Sequence, residues 1–276
     1  MSALVQISDP HFGAERPAVV DALVRLVAEQ APELVVMSGD ITQRATPRQF
    51  AAARAFVDRL AAPVLAIPGN HDIPLFALGT RLFAPYRRYR AVFGRDLEPV
   101  HRSADWCVVG VRTTRRWRHS NGQVSAAQVD AVTAHLEAAD PGQLRVVVVH
   151  QPIAVRDDAD DDDASTLLRG HAGAVERWAA AGADLVVGGH IHVPYVVALH
   201  ARRPGLERRL WCVQAGTAVS TRVRHDVPNS VNVIRRDAGD GGARRARVEQ
   251  WDYDVPQRRF ALARTWPLAL GDVARG

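Results

Sequence analysis

The sequence predicts an α/β protein of two packed sheets with helices outside, and three observations lead there. Short apolar, β-branched runs recur along the first two thirds of the chain, each ending abruptly at a polar residue, as buried strands do. Between the early runs lie segments with apolar residues at helical spacing. Strand and helix therefore alternate as in parallel crossovers, which are right-handed almost without exception. Beyond His192 the alternation stops, and strand-like runs follow one another with turns between them.

The first run, Leu4-Val5-Gln6-Ile7-Ser8, passes into Asp9-Pro10-His11. Residues 17–30 then place Val20, Leu23, Val24 and Val27 on one helical face, before Pro32 and the run Leu34-Val35-Val36-Met37-Ser38. After Gly39-Asp40, residues 47–60 repeat the helical pattern with Phe50, Ala53, Phe56, Val57 and Leu60. Thr46 is the expected N-cap there and Pro47 the first helical residue. Pro63-Val64-Leu65-Ala66-Ile67 leads to Gly69-Asn70-His71-Asp72.

Residues 74–100 mix Phe76, Phe83, Tyr86, Tyr89 and Phe93 with Arg81, Arg87, Arg88, Arg90 and Arg95. They read as a helix with its aromatic face on the core and arginines toward water, or alternatively as a surface for bases and phosphates. A strand over residues 106–111 precedes an Arg-rich loop at 112–122 and a helix over 125–138 capped by Ser125. Arg145-Val146-Val147-Val148-Val149 ends at His150. The acidic run at 157–163 lacks the alternating ligands, Gly and terminal Glu of an EF-hand loop, and reads as a solvated loop or lid. A helix near 173–181 leads to Leu185-Val186-Val187-Gly188-Gly189 and His190-Ile191-His192. Strands are expected at 195–200, 209–213, 230–234 and 247–253, with a turn at Asp240-Gly241-Gly242. No repeat or boundary is visible, so residues 1–276 read as one domain, with 255–276 as a loosely packed tail.

With 47% hydrophobic and 24% charged residues, the chain has ample material for a core. No apolar run approaches the roughly 18 residues of a transmembrane helix, and no basic-then-apolar leader opens the sequence. Cys107 and Cys212 sit in strand-like runs as buried free thiols, so the expected location is cytoplasmic. The formal charge is +5, and all 35 basic side chains are Arg. A guanidinium suits phosphate, but these arginines are scattered, as a coding bias would leave them. Neither a membrane nor a nucleic acid is therefore expected as partner.

The strand ends carry the chemistry, since open α/β sheets bind ligands beyond their strands' carboxyl ends. Asp9 and His11, like His190 and His192, are two apart and would leave an extended backbone from one face. With Asp40, Asn70 and His150 they give four imidazoles, two carboxylates and one amide oxygen, without sulfur. That set suits Mn, Fe, Zn, Co or Ni, and seven ligands fit two ions sharing a carboxylate. Two such ions clamp the attacking and leaving oxygens of a displacement at phosphorus, with hydroxide bridging them as nucleophile. His71 is the expected general acid, its tautomer held by Asp72 or another carboxylate.

Asp9-x-His11, Gly39-Asp40-(three residues)-Arg44, Gly69-Asn70-His71-Asp72, His150 and Gly189-His190-x-His192 together resemble the calcineurin-like metallophosphoesterase superfamily. The motifs span residues 4–193 and, more weakly, 216–234. The resemblance implies a four-layer α/β/β/α sandwich. It implies one metal site at Asp9, His11, Asp40 and His192, and a second at Asp40, Asn70, His150 and His190. It places His71 at the catalytic histidine and Arg44 at an arginine that orders the site. The retained histidine makes the sequence most similar to bacterial class III cyclic-nucleotide phosphodiesterases, with Mn or Fe favoured and Zn, Co, Ni or Mg as alternatives. Pro10 and Gln151 depart from the usual pattern, in which a second histidine often follows His150.

The expected activity is hydrolysis of a small phosphodiester, with a cyclic nucleotide favoured. Expected substrate contacts are Asn70 and, in the Arg-rich loop, Arg112, Arg118, His119 and Asn121, with Arg115 and Arg116 as further phosphate holders. The alternatives are a nuclease or a phosphatase for another ester, and a metal-binding scaffold without turnover. Composition leaves the oligomeric state open.

Overall fold

In the computed structural model, residues 2–118, 120–156, 165–224, 226–237 and 244–273 are described. Strand β1 (Ala3–Ile7) turns Ala3, Val5 and Ile7 into one hydrophobic cluster and Leu4 into another, as a side-chain period of two requires. Strand β2 (Leu34–Met37) divides the same way, Val35 and Met37 from Leu34 and Val36. Helices α1 (Pro17–Gln30) and α2 (Pro47–Val57) cover the first cluster through Leu23, Leu26, Phe50 and Phe56.

Later in the chain, β5 (Trp106–Gly110), β6 (Leu144–Val148) and β7 (Leu185–Gly188) repeat the division. Cys107, Val109, Val147 and Val186 pack with α5 (Ala126–Glu137) and α6 (His171–Ala180). Trp106, Val108, Val146, Val148 and Val187 join Leu4 and Val36 in the middle. Strands buried on both faces explain why these runs are continuous rather than alternating. The result is a helix, sheet, sheet, helix sandwich.

Six strands make each sheet. In the first, β1, β2 and β3 (Val64–Ala66) are parallel, and β10 (Ser230–Asp237), β11 (Arg245–Asp254) and β12 (Arg259–Ala269) continue antiparallel from β1. In the second, β5, β6, β7 and β9 (Trp211–Gln214) are parallel, between antiparallel edges β4 (Val100–Arg102) and β8 (Tyr195–Ala198). Capping boxes at Thr46–Gln49 and Ser125–Gln128 start α2 and α5 where the sequence places them.

Several expectations change. Residues 259–269 are not a loose tail but strand β12, with Phe260, Leu268 and Leu270 buried beside it. Its arginines and Pro267 hide the pattern, and an edge strand tolerates that proline. Residues 78–93 form two short helices, α3 (Leu78–Phe83) and α4 (Arg87–Phe93), rather than one. Tyr86 and Tyr89 are buried, but Phe76 and Phe83 are exposed, so only part of the aromatic set packs on the core. Cys107 and Cys212 are buried free thiols, and burial pushes the Cys212 thiol up to about 11. Among the described residues no helix is long and apolar enough to cross a membrane. The acidic run at 157–163 and the turn at 240–242 lie outside the described residues.

Candidate metal centre

The carboxyl ends of β1, β2, β3, β6 and β7 converge, and the residues just beyond them gather into one buried cluster. A polar layer lies at the same level between the sheets. Gln6 donates to the Gly188 carbonyl at 2.8 Å, and Asn232 donates to Gln6 at 3.0 Å and to the Gln214 carbonyl at 3.1 Å. Close approach of the loops is set by glycine. A Cβ on Gly69 would lie 2.0 Å from the Asp40 nitrogen, and one on Gly189 would lie 1.9 Å from Ser8 Oγ.

Asp9, His11, Asp40, His190 and His192 all adopt positive φ, at 49°, 44°, 49°, 75° and 65°. The extended-backbone argument for the paired residues therefore fails. They sit past the strands in left-handed conformations, and the pairs split. His192 joins Asp9 and His11, whereas His190 joins Asp40 and His150. Such conformations cost non-glycine residues energy and cluster at functional sites.

The first group comprises Asp9, His11 and His192, with one potential ligand atom from each all within 4.8 Å of one another. Asp9 Oδ2 accepts from Ser8 Oγ at 2.6 Å and from the His190 amide at 2.9 Å. Its Oδ1 faces His192 Nε2 at 3.2 Å and His11 Nε2 at 3.7 Å. His192 Nδ1 donates to the Arg222 carbonyl at 2.6 Å, which fixes the ring and turns Nε2 inward. His11 Nε2 and His192 Nε2 are 3.1 Å apart.

The second group is Asp40, His150 and His190. His150 Nδ1 donates to the Ser38 carbonyl at 2.9 Å, leaving Nε2 3.2 Å from Asp40 Oδ1 and 3.1 Å from Asn70 Oδ1. Asp40 belongs to both sides, since its Oδ2 lies 3.9 Å from His11 Nε2 and 4.0 Å from His71 Nε2. Its Oδ1 also accepts from the His71 amide at 2.8 Å.

Burial opposes ionisation of Asp9 and Asp40, but the imidazoles outweigh it. His192 holds Asp9, and His150 with His71 hold Asp40, well below the usual carboxylate range. Burial also opposes charge on the rings. It pushes His11 down to about 3 and His190 down to about 4, while Asp40 overcomes it at His150 and raises that ring to about 9.

This donor set fits cations. Asp9 Oδ1 and His11 Nδ1 are buried without a hydrogen-bond partner among the described residues. His192 and His150 are anchored through Nδ1 and turn Nε2 toward Asp9 and Asp40, and His11 Nε2 faces His192 Nε2, so ring nitrogens and two carboxylates converge as metal ligands do. Nitrogen and oxygen donors without sulfur match Mn, Fe or Zn rather than a thiolate site. A third group of His11, Asp40 and His71 links the other two, so the donors form one chain with Asp40 near its middle.

His71 stands beside Asp40, its ring 4.9 Å from that of His11. Its Nδ1 donates to the Gln43 carbonyl at 2.9 Å, and its Nε2 lies 3.1 Å from Arg222 Nη1. The tautomer is therefore held by a backbone carbonyl, not by Asp72. Asp72 is buried and accepts from the Gly69, Ile41 and Thr42 amides and from Thr42 Oγ1, pinning the Asp40 turn. A short 3₁₀ turn at Asn70–Asp72 sends the adjacent side chains apart.

Arg44 is also corrected: it is exposed, with its guanidinium 6.0 Å from the Phe76 ring, and makes no hydrogen bond to the cluster. Of the expected substrate contacts, Asn70 is in the cluster. Arg112 lies over Tyr86 at 5.4 Å, and Asn121 donates to the Ser165 carbonyl at 3.2 Å. Arg118 accepts at its carbonyl from Arg81 at 2.8 Å. No described contact joins these three to the cluster, and His119 lies outside the described residues. Arg115 is spent on Gln128 and on the Arg112 and Thr114 carbonyls, and Arg116 donates to the Leu82 carbonyl. Gln151 holds the loop through Thr113 and Ser120. The arginine at the cluster is Arg222, which sequence reasoning missed. Its only signal was its place in the weakly matching stretch 216–234.

A probable cyclic nucleotide phosphodiesterase from Synechococcus sp. is 23% identical over 165 residues, covering 55% of this chain and 59% of that protein. The glycerophosphodiester phosphodiesterase GpdQ of Enterobacter lignolyticus is 34% identical over 80 residues, covering 25% of this chain and 29% of that protein. The chain thus spans less than two thirds of either relative's length. Among solved structures, the purple acid phosphatase PPD1 from yellow lupin (Lupinus luteus) seeds superposes with a TM-score of 0.68 at 12% identity, over 97% of this chain and 53% of that one, and shares the fold. A sequence model of the calcineurin-like phosphoesterases matches residues 3–194, and the chain belongs to that family.

Proposed function

We propose that the protein hydrolyses a small phosphodiester, with a cyclic nucleotide as the first candidate, using two metal ions of which Mn or Fe is favoured. The observation that carries this reading is Asp40 standing between two carboxylate–imidazole groups with His71 beside it. Asp9, His11, Asp40 and His192 would hold one ion, and Asp40, Asn70, His150 and His190 the other. The chemistry such ions supply is Lewis acidity, which lowers the pKa of water and offsets charge on phosphoryl oxygens. Two relatives named as phosphodiesterases support a diester over a monoester.

The chain's own contribution centres on His71. With Nδ1–H committed to the Gln43 carbonyl, Nε2 is the atom available to hand a proton to the leaving oxygen. Asp72 acts at a distance, through the turn that carries Asp40. The test loads the protein with Mn or Fe and compares bis- and mono-nitrophenyl phosphates, then 2′,3′- and 3′,5′-cyclic nucleotides. Diester turnover that exceeds monoester turnover is expected. Monoester preference, or no turnover with either metal, would refute the reading.

A further inference from the structure

We propose that Arg222 is a substrate-binding residue that grips the phosphoryl group over the metal cluster; the inference rests on the phosphodiesterase reading. Arg222 lies on the loop between β9 and β10, outside the strand-end motifs. Its backbone is fixed twice, by the His192 ring donating to its carbonyl at 2.6 Å and by its own amide donating to Ser220 Oγ at 3.2 Å. The side chain then reaches across the cluster. Nη1 lies 3.1 Å from His71 Nε2 and 3.3 Å from Gln43 Oε1. The loop of the second sheet is thereby joined to the turn after β2, over the place where a diester must sit to meet His71.

Like Arg81, Arg88, Arg115 and Arg116, Arg222 lacks a carboxylate partner among the described residues, but it alone of these five touches His71. Arg208 and Arg244 rest on Asp184, and Arg235 and Arg247 on Glu249. Among the described residues Arg222 has no carboxylate within ion-pair distance, and only Nη1 is engaged. A half-buried guanidinium whose hydrogen bonds among the described residues run through Nη1 alone, with no carboxylate beside it, leaves its fork open to an anion. A phosphoryl group offers two oxygens at the matching spacing. The arginines of the 112–122 loop are turned to other uses, whereas Arg222 is a cation placed beside His71.

The test compares Mn-loaded wild type, Arg222→Ala, Arg222→Gln and Arg222→Lys. Calorimetry reads binding of inorganic phosphate, KM and kcat are read on bis-nitrophenyl phosphate, and Mn content is read by elemental analysis. Arg222→Ala and Arg222→Gln should weaken phosphate binding about tenfold to a hundredfold, as loss of charge-assisted hydrogen bonds predicts, and raise KM in parallel. Arg222→Lys should recover part of both. Mn content should stay at the wild-type level in all three, because His192 is anchored to the backbone carbonyl. Unchanged phosphate affinity in either charge-removing variant at full Mn content would overturn the assignment, as would wild type binding no phosphate. Wild type that binds phosphate through Arg222 yet cleaves no diester would instead sink the phosphodiesterase reading and leave this one standing.

Discussion

Removing Asp72 should loosen the site's framework rather than remove a proton-transfer partner. Its Oδ2 accepts from the Gly69 amide at 2.8 Å and the Ile41 amide at 3.0 Å. Its Oδ1 accepts from the Thr42 amide and Thr42 Oγ1, both at 2.8 Å. In Asp72→Ala three buried backbone N–H groups lose their acceptor, at about 1–3 kcal/mol each. Water entering the vacated space offsets part of that, so a net loss of about 3–5 kcal/mol is expected. Against a typical total of about 5–15 kcal/mol, the fold survives but weakly. The thermal midpoint should fall by about 6–15 °C. Asp72→Asn keeps one acceptor but turns an amide group on two donors, so it should fall between. Urea unfolding at unchanged m-value, read beside Mn content, makes the measurement. A stability loss under about 0.5 kcal/mol, together with collapsed turnover and a displaced pH–rate profile, would show that Asp72 acts through His71 after all.

If His71 acts as the proposed acid, replacing it with Ala should lower turnover by about 10²–10⁴ while Mn content persists; an unchanged rate in steady-state assays would remove that role. Metal binding should release a proton from His150, whose ring is raised to about 9 without metal. Because that value lies above the ordinary 6.5, the charged ring stabilises the metal-free fold fully below pH 6.5, and the contribution is lost as pH rises through 9. The loss should be at most about 1.4 kcal/mol per pH unit, and metal affinity should climb across the same window. Calorimetry in buffers of different ionisation enthalpy counts the released protons, and none would contradict the assignment. Gly69→Ala, whose Cβ meets backbone 2.0 Å away, should displace Asp40 and lower both Mn content and thermal midpoint.

Much of the cluster was legible because its side chains stop strands, and a buried strand is visible as an unbroken apolar run. Asp40, Asn70 and His150 each follow such a run, and topology brought them together. What escaped was carried by the backbone. The Gln43 carbonyl orients His71 and the Arg222 carbonyl orients His192, and any residue type supplies a carbonyl. Asp72 differs from the expectation because a 3₁₀ turn carries its carboxylate away from the His71 ring and onto the Gly69, Ile41 and Thr42 amides. Arg44 matched a motif spacing, yet its long side chain found the Phe76 ring and solvent instead. Strand β12 was lost to Pro267 and its outward arginines, features that an edge strand permits.

The division of donors between the sheets bears on how the centre is held. Asp9, Asp40 and Asn70 follow strands of the first sheet, and His150, His190 and His192 follow strands of the second. Close contacts within each group cross the seam, as at Asp9 with His192 and Asp40 with His150. Left-handed backbone at Asp9, His11, Asp40, His190 and His192 costs about 1–3 kcal/mol apiece. The loops that carry the strain are themselves packed into the cores, through Phe12 and Ile41 on one side and Ile191 on the other. A cation held between Asp9, Asp40 and these imidazoles would offset part of that cost and would bridge donors from both sheets.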